Sequence, residues 1–397
     1  MPTTLTFFPV DNGDMTLITL FDHAATTILI DVNVRTAADN PDDNDTPDVM
    51  ADLRGRINRD AKGRPYVDVF MLSHPDLDHC RGLDRHFHLG KLEDYPDDKK
   101  PDGEKKIVIR EIWSSPIVFR RRSSTHTLSD DAAAFNCEAK RRVKLNKETS
   151  CQVQDGDRVR ILGEDINGKT DGIPAIVTKV GDELSMICGR DFSSYFKARL
   201  LAPLDSQDDP ELEANFSKNH SSVIMNFMLW SGAMQQDGVK FLTGGDAEVL
   251  IWSRLWDQYK DTPEVLEYDV LQTPHHCSWH SLSYDSWSKN GNEAKVDENA
   301  RNALGQARDG AVIVASCKPI ADDDCDPPCM GAKDEYEAIA NEAGGTFICT
   351  GEYPDPQATK SYVLTVTADG AKKPTTKDAA AKLASLAGTA SVPMPHG

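Results

Sequence analysis

No stretch of this 397-residue chain reaches the ~18 consecutive apolar residues of a membrane span, so a membrane-embedded helix is excluded. The opening run from Met1 to Val10 has neither a basic region nor a long apolar core. It reads as a first β-strand and not as a secretion signal. Cysteine is sparse and odd in number, nine residues scattered along the chain. That usage suits a reducing, cytoplasmic setting better than a disulfide framework. Positive charge is scarce: 44 Lys and Arg face 64 Asp and Glu, for a net charge of −20. Such a surface repels polyanions, so contact with nucleic acid requires a local basic patch or bound metal. No internal repeat is present, which sets aside solenoids.

What is there is an ordinary globular mixture, 39% hydrophobic and 27% charged, long enough for one large domain or two smaller ones. Leu5–Val10 and Met15–Leu20 flank an Asn-Gly turn and read as a hairpin, with Thr27–Asp31 following. Thr36–Asp48 is rich in Asp, Asn and Pro and reads as an exposed loop. Tyr66–Leu72 is nearly all apolar, the pattern of a strand buried on both faces. Lys91–Lys106 is charged and reads as a surface insertion, Ile107–Trp113 as a strand, and Leu128–Lys147 as a helix capped near Ser129. Val223–Trp230 and Val239–Thr243 form an expected antiparallel pair, followed by a helix over Ala247–Tyr259 and a short strand at Val270–Gln272. Strands at Ala311–Ser316, Thr346–Thr350 and Tyr362–Thr367, with a helix over Lys333–Ala343, close the fold. Thr170–Lys197 supports neither element clearly. Two sheets with helices on their outer faces satisfy this order.

Three segments carry chemistry. In Ser73-His74-Pro-Asp76-Leu-Asp78-His79, four possible metal ligands fall within six residues, directly after an apolar strand. A strand ending in a tight loop can aim them at one point, which helical spacing could not do. Imidazole with carboxylate suits zinc, manganese or iron better than calcium. In Phe241-Leu-Thr-Gly-Gly-Asp246-Ala-Glu248 a strand again runs into a carboxylate, although Asp there is also a common helix cap. In Thr273-Pro-His275-His276-Cys-Ser-Trp-His280, three of the chain's eleven His lie within six residues.

In type and order these segments resemble the metallo-β-lactamase-fold hydrolases, most closely the hydrolase domain of ComEC-type DNA-uptake proteins. The matching stretches are Pro9–Asp14, Ser73–Leu83, Asn219–Ile224, Phe241–Asp246 and Pro274–Ser278. The resemblance implies an α+β fold, an αββα sandwich over residues 1–367 with a surface insertion around 84–150; residues 368–397, rich in Ala, Lys and Thr with little periodicity, read as a flexible tail. It implies two divalent ions, Zn or Mn, with His74 and Asp76 on one and Asp78 and His79 on the other. Asp246 would serve both, and either His275 or His276 would complete the set, the remaining imidazole contacting substrate. His220 stands where other branches of the family place a further ligand. Asp76 replaces the imidazole usual in most relatives, which hardens that side toward Mn. Cys80 and Cys277 read as small buried hydrophobes, and Cys325 and Cys329 have metal-ligand spacing without a second pair.

The implied activity is metal-dependent hydrolysis of a phosphodiester by activated water, a phosphodiesterase or nuclease. Asp78 would orient the water, and a protonated His276 or His280 would assist the leaving oxygen. Arg110, Arg120–Arg122 and Lys140–Arg142 offer a basic strip that could steer a single-stranded nucleic acid or a nucleotide. Two alternatives stay open: a small-molecule or cyclic-nucleotide phosphodiesterase, and a non-catalytic scaffold of the same fold with an operon-encoded protein partner.

Overall fold

Short strands whose side chains alternate between two apolar layers dominate the chain. The structure, a computed structural model, describes residues 2–40, 42–43, 45–121, 127–205, 213–216, 218–232 and 237–373. In chain order the main strands begin with β1 (Thr4–Phe7), β2 (Thr16–Thr19), β3 (Thr27–Ile30), β4 (Pro65–Met71), β5 (Ile107–Ser114), β6 (Arg158–Leu162) and β7 (Val177–Thr178). Next come β8 (Glu183–Leu184), β9 (Phe196–Ala202), β10 (Ile224–Leu229), β11 (Val239–Leu242), β12 (Tyr268–Gln272), β13 (Ala307–Ala315) and β14 (Thr346–Cys349). The chain then returns to the first sheet as β15 (Tyr362–Thr367) and β16 (Gly370–Lys372). The first sheet has the order β16-β15-β1-β2-β3-β4-β5-β6-β7 and the second β8-β9-β10-β11-β12-β13-β14.

Side-chain alternation sorts the core into three layers. Leu5, Phe7, Ile28, Val69 and Trp113 of the first sheet meet Phe196, Phe227, Phe241, Val270 and Val314 of the second. Phe7 stands edge-on to Phe241 with centroids 5.7 Å apart. The next residues along turn outward, so that Leu271 and Ile313 pack under α5 (Val249–Tyr259), α6 (Glu298–Leu304) and α7 (Met330–Glu342). On the other side Val67, Phe70 and Ile109 are covered by α1 (Val49–Arg56), the short α3 (Leu83–His86) and α4 (Asp130–Glu148). Helix, sheet, sheet and helix therefore stack as an αββα sandwich.

The expected strands and helices are found within a few residues of their anticipated ends, with informative exceptions. Asp48, which closes the expected loop, accepts a hydrogen bond from Ala51 N and starts α1, an element whose weak apolar periodicity hid it. The ambiguous Thr170–Lys197 stretch holds β7, β8 and a small hairpin that pairs Met186–Ile187 with Arg190–Asp191. The ladder also runs past the expected boundary at 367, because β16 pairs with β15 from Thr365↔Lys372 to Thr367↔Gly370. Residues 374–397 of the expected tail lie outside the described residues. Among the described residues no helix is long and apolar enough to cross a membrane.

The topology decides where chemistry can occur. β3, β4 and β5 run parallel, as do β11 and β12, so their C-terminal ends share one edge of the sandwich. There the two halves are tied by Val223 N donating to Ser73 O at 2.9 Å and Thr16 Oγ1 donating to Gln272 Oε1 at 2.9 Å.

Candidate metal centre

Each motif occupies a loop that leaves one of those strand ends. After β4, Ser73 and His74 lead into a single helical turn, α2 (Leu77–Cys80), which turns Asp78 and His79 back toward the sheet edge. After β11, Gly244 and Gly245 bring Asp246 in tightly. Gly245 has φ +47°, and a Cβ there would lie 3.0 Å from Ser222 Cβ and 3.2 Å from Ser73 Cβ, so a larger residue would push the halves apart. After β12, His275, His276 and Cys277 all have positive φ, at 50°, 53° and 67°. Three consecutive non-glycine residues in the left-handed region cost about 1–2 kcal/mol each, strain of the kind that collects at functional sites.

Asp246 is the hub. Its Oδ1 lies 2.9 Å from His79 Nε2 and 3.3 Å from His276 Nε2. Its Oδ2 lies 3.2 Å from His74 Nε2 and 3.8 Å from His275 Nε2. One carboxylate thus divides two donor groups. The inner group is Asp78, His79, Asp246 and His276, and the outer group is His74, Asp76 and Asp246; within each, one donor atom per residue lies within 4.8 Å of every other. His276 Nε2 is 3.4 Å from Asp78 Oδ2, and His74 Nε2 is 3.9 Å from Asp76 Oδ2.

Further carboxylates hold these imidazoles in place. His79 Nδ1 sits 2.8 Å from Asp31 Oδ2, and Asp31 also accepts from Ser73 N at 2.7 Å and Ser73 Oγ at 2.5 Å. With Nδ1 engaged there, Nε2 of His79 is turned to Asp246. Asp14 Oδ1 lies 3.4 Å from His276 Nδ1, beside that ring but without a hydrogen bond to it. On the outer side Glu248 lies 3.9 Å from His275 Nδ1 and 3.3 Å from His220 Nε2, and accepts from Asn219 Nδ2 at 3.0 Å.

The electrostatics follow from packing carboxylates and imidazoles away from water. Burial alone would raise the Asp246 carboxyl, yet His79, His276, His74 and His275 hold it well below the usual carboxylate range. Burial works against charge on His276, but Asp246, Asp14 and Asp78 push it up to about 10. His79 is likewise raised, with Asp246 and Asp31 outweighing its burial. His275 has the opposite balance and is lowered by burial.

The donors present fit divalent cations. His79 and His276 face each other Nε2 to Nε2 at 3.2 Å, both turned on Asp246 Oδ1. His74 Nε2 and Asp246 Oδ1 are buried and make no hydrogen bond. Buried polar atoms left this way are costly unless another group satisfies them. Nitrogen and oxygen donors in two groups sharing one carboxylate match the ligand preferences of Zn²⁺ or Mn²⁺.

No protein-family model matches the chain, and no curated protein does. Among solved structures, the chain is similar over 92% of its length to a mutant of CmlA beta-hydroxylase, at 11% identity and a TM-score of 0.38, and spans about half, 54%, of that chain. It is similar over 91% of its length to Igni18, described as a novel metallo hydrolase from the hyperthermophilic archaeon Ignicoccus hospitalis, at 12% identity and a TM-score of 0.37, covering 98% of that chain. Neither likeness is close enough to carry an argument, and the αββα layering rests on the packing described above.

Of the residues singled out in the sequence, His74, Asp76, Asp78, His79, Asp246 and His276 converge, and His275 flanks the outer group. Of the neighbouring imidazoles, His276 joins the inner group and His275 lies beside the outer one. His220 faces Glu248 and joins neither donor group. His280 joins neither group; it is half-exposed, with Nε2 3.8 Å from Asp326 Oδ2. Cys80 and Cys277 are fully buried, and burial raises both thiols, that of Cys80 to about 12, as befits small apolar residues. Cys325 is exposed while Cys329 is buried, and among the described residues no candidate metal group includes a thiol. The anticipated basic strip is largely spent: Arg110 pairs with Asp68, Arg120 with Asp165, Arg121 with Glu213, and Arg141 and Arg142 with Glu138. Arg122 lies outside the described residues.

Asp14, Asp31 and Glu248 carry functional geometry without having been singled out as ligands or their supports. A signal existed for Asp31, which ends the apolar run Thr27–Ile30 as Ser73 and His74 follow the run before them.

Proposed function

We propose that this chain is a metal-dependent hydrolase of phosphodiesters that holds two divalent ions, one on each side of Asp246. The observation that supports it best is the division of Asp246, with Oδ1 turned to His79 and His276 and Oδ2 to His74. His79, His276 and Asp78 would hold one ion, and His74 and Asp76 the other, with His275 alongside. Divalent ions in these positions supply Lewis acidity, which acidifies water and draws charge from a scissile phosphoryl group. Asp31, bonded to Nδ1 of His79, keeps that imidazole presenting Nε2, and Asp14 lies beside Nδ1 of His276. The side chains of His74 and His79 are 0% exposed, whereas Asp78 is 32% and His275 15% exposed. Substrate therefore approaches from the Asp78 and His275 side, where Asp78 orients water and His275 contacts the phosphoryl oxygens.

The choice of phosphodiester rests on the resemblance of the motifs to the ComEC-type branch. It is tested by incubating the protein with Mn²⁺ or Zn²⁺ and linear DNA, RNA, cyclic nucleotides or a chromogenic bis-phosphodiester, with metal content measured in parallel. Cleavage confined to cyclic nucleotides or the small ester would reassign the protein to small-molecule phosphodiesters. Two bound ions without turnover of any substrate would make it a scaffold.

A further inference from the structure

Away from the Asp246 centre, on the outer side of the first sheet, lies a cavity of ≈ 840 Å³ that shares no lining residue with it. Its floor is apolar, formed by Val143 of α4, Val159 and Ile161 of β6, and Ile173, which pack as a small cluster of their own. Its wall is cationic. Lys140, Lys144 and Lys147 recur at helical spacing along one face of α4, and Lys169 stands opposite them.

The neighbouring arginines are already committed, and Lys144 lies beside Glu148, but Lys140, Lys147 and Lys169 are not committed. Arg141 and Arg142 on the same helix are consumed by Glu138. Two carboxylates also line the cavity, and each has its cation: Asp165 is held by Arg120, and Glu148 lies 3.8 Å from Lys144. Among the described residues Lys140, Lys147 and Lys169 have no acidic partner, and Lys147 Nζ donates only to the Lys169 carbonyl at 3.0 Å. Three uncompensated ammonium groups gathered around one apolar cavity stand out in a chain of net charge −20. Lys140 and Lys147 are seven residues apart, about 10 Å along the helix, which suits more than one anionic group. The volume is that of a small-molecule site.

We propose that this cavity binds a nucleotide bearing at least two phosphates, with the phosphates on Lys140, Lys147 and Lys169 and the base on the apolar floor. The site is separate from the metal centre and stands whether or not the hydrolase reading holds. The test is calorimetric titration of the chelator-stripped full chain with ATP in EDTA at low salt, with tripolyphosphate and adenosine as separate titrants. ATP is expected to bind saturably and more tightly than either fragment, and to weaken as salt rises. Lys140→Glu with Lys147→Glu, both at the surface, should weaken ATP at least about tenfold while thermal unfolding stays unchanged. Absence of saturable binding below about 1 mM, or equal binding by the double variant, overturns the proposal. So does tripolyphosphate binding as tightly as ATP, since the apolar floor then contributes nothing.

Discussion

Two buried charge clusters in this molecule are built on opposite plans. In α4, Glu138 accepts from Arg142 Nε at 2.7 Å and from Arg141 Nε and Nη2 at 2.7 Å each, and Arg142 spends its other nitrogens on the carbonyls of Arg158 and Ile109. Every charge there meets its opposite within the chain. At the Asp246 centre, Asp14, Asp31, Asp78 and Asp246 lie against the imidazoles of His74, His79 and His276. An imidazole is neutral or cationic according to its surroundings, whereas a guanidinium is always charged. The helix cluster is complete as folded and serves structure. The sheet-edge cluster instead keeps buried donor atoms, His74 Nε2 and Asp246 Oδ1, that make no hydrogen bond, and that difference separates the two more clearly than burial, which both share.

The two plans can be pulled apart experimentally. Asp246→Ala removes the shared carboxylate and should take both ions together, cutting hydrolysis by about 10³-fold or more; metal analysis retaining either ion in that variant would break the shared-hub picture. Glu138→Gln strands Arg142 in the interior, for a loss of about 3 kcal/mol read by denaturant unfolding, with metal content unchanged.

The same variant carries a pH signature. Burial opposes the Glu138 charge, but Arg141 and Arg142 hold its carboxyl below the ordinary value of 4.5. A depressed carboxyl contributes stability in full above its unfolded value and loses it as pH falls through the folded one. The parent should therefore lose stability on acidification below about pH 4.5 more steeply than Glu138→Gln, and parallel curves would show that the cluster is not neutralised as described.

Removing metal is expected to act only on the sheet-edge cluster. A chelator should destabilise the parent by about 2–3 kcal/mol for each ion held at a concentration a hundredfold above its Kd, and leave Asp246→Ala unmoved. Asp31→Asn, which loosens His79, should weaken one ion by about 10–100-fold while the other stays, as titration with competing chelators would register. His280→Ala should have the smallest effect, within about 0.5 kcal/mol of the parent in stability and equal in metal content; loss of an ion there would bring His280 into the centre.

Much of the centre was legible in the chain because its candidate ligands are concentrated. His74, Asp76, Asp78 and His79 crowd one turn after an apolar strand, and no structural need of a surface loop accounts for that density. Asp14, Asp31 and Glu248 were not legible as partners. Each is one acidic residue in an acidic chain, and only the meeting of separate strand ends gives it an imidazole to hold. The arginine strip misled for the same reason: charge in sequence says nothing of pairing, and the carboxylates that occupy Arg110, Arg120, Arg121, Arg141 and Arg142 come largely from distant segments.

Local chemistry was enough to determine the alternating strands, the capped helices and the ligand-bearing loops, because these depend on neighbours a few residues apart. Which imidazole of the His275–His276 pair joins the inner group and which carboxylate is shared depend on contacts across more than a hundred residues. Only the packing of one sheet against the other, drawn tight at Gly245, brings those groups within reach and decides them.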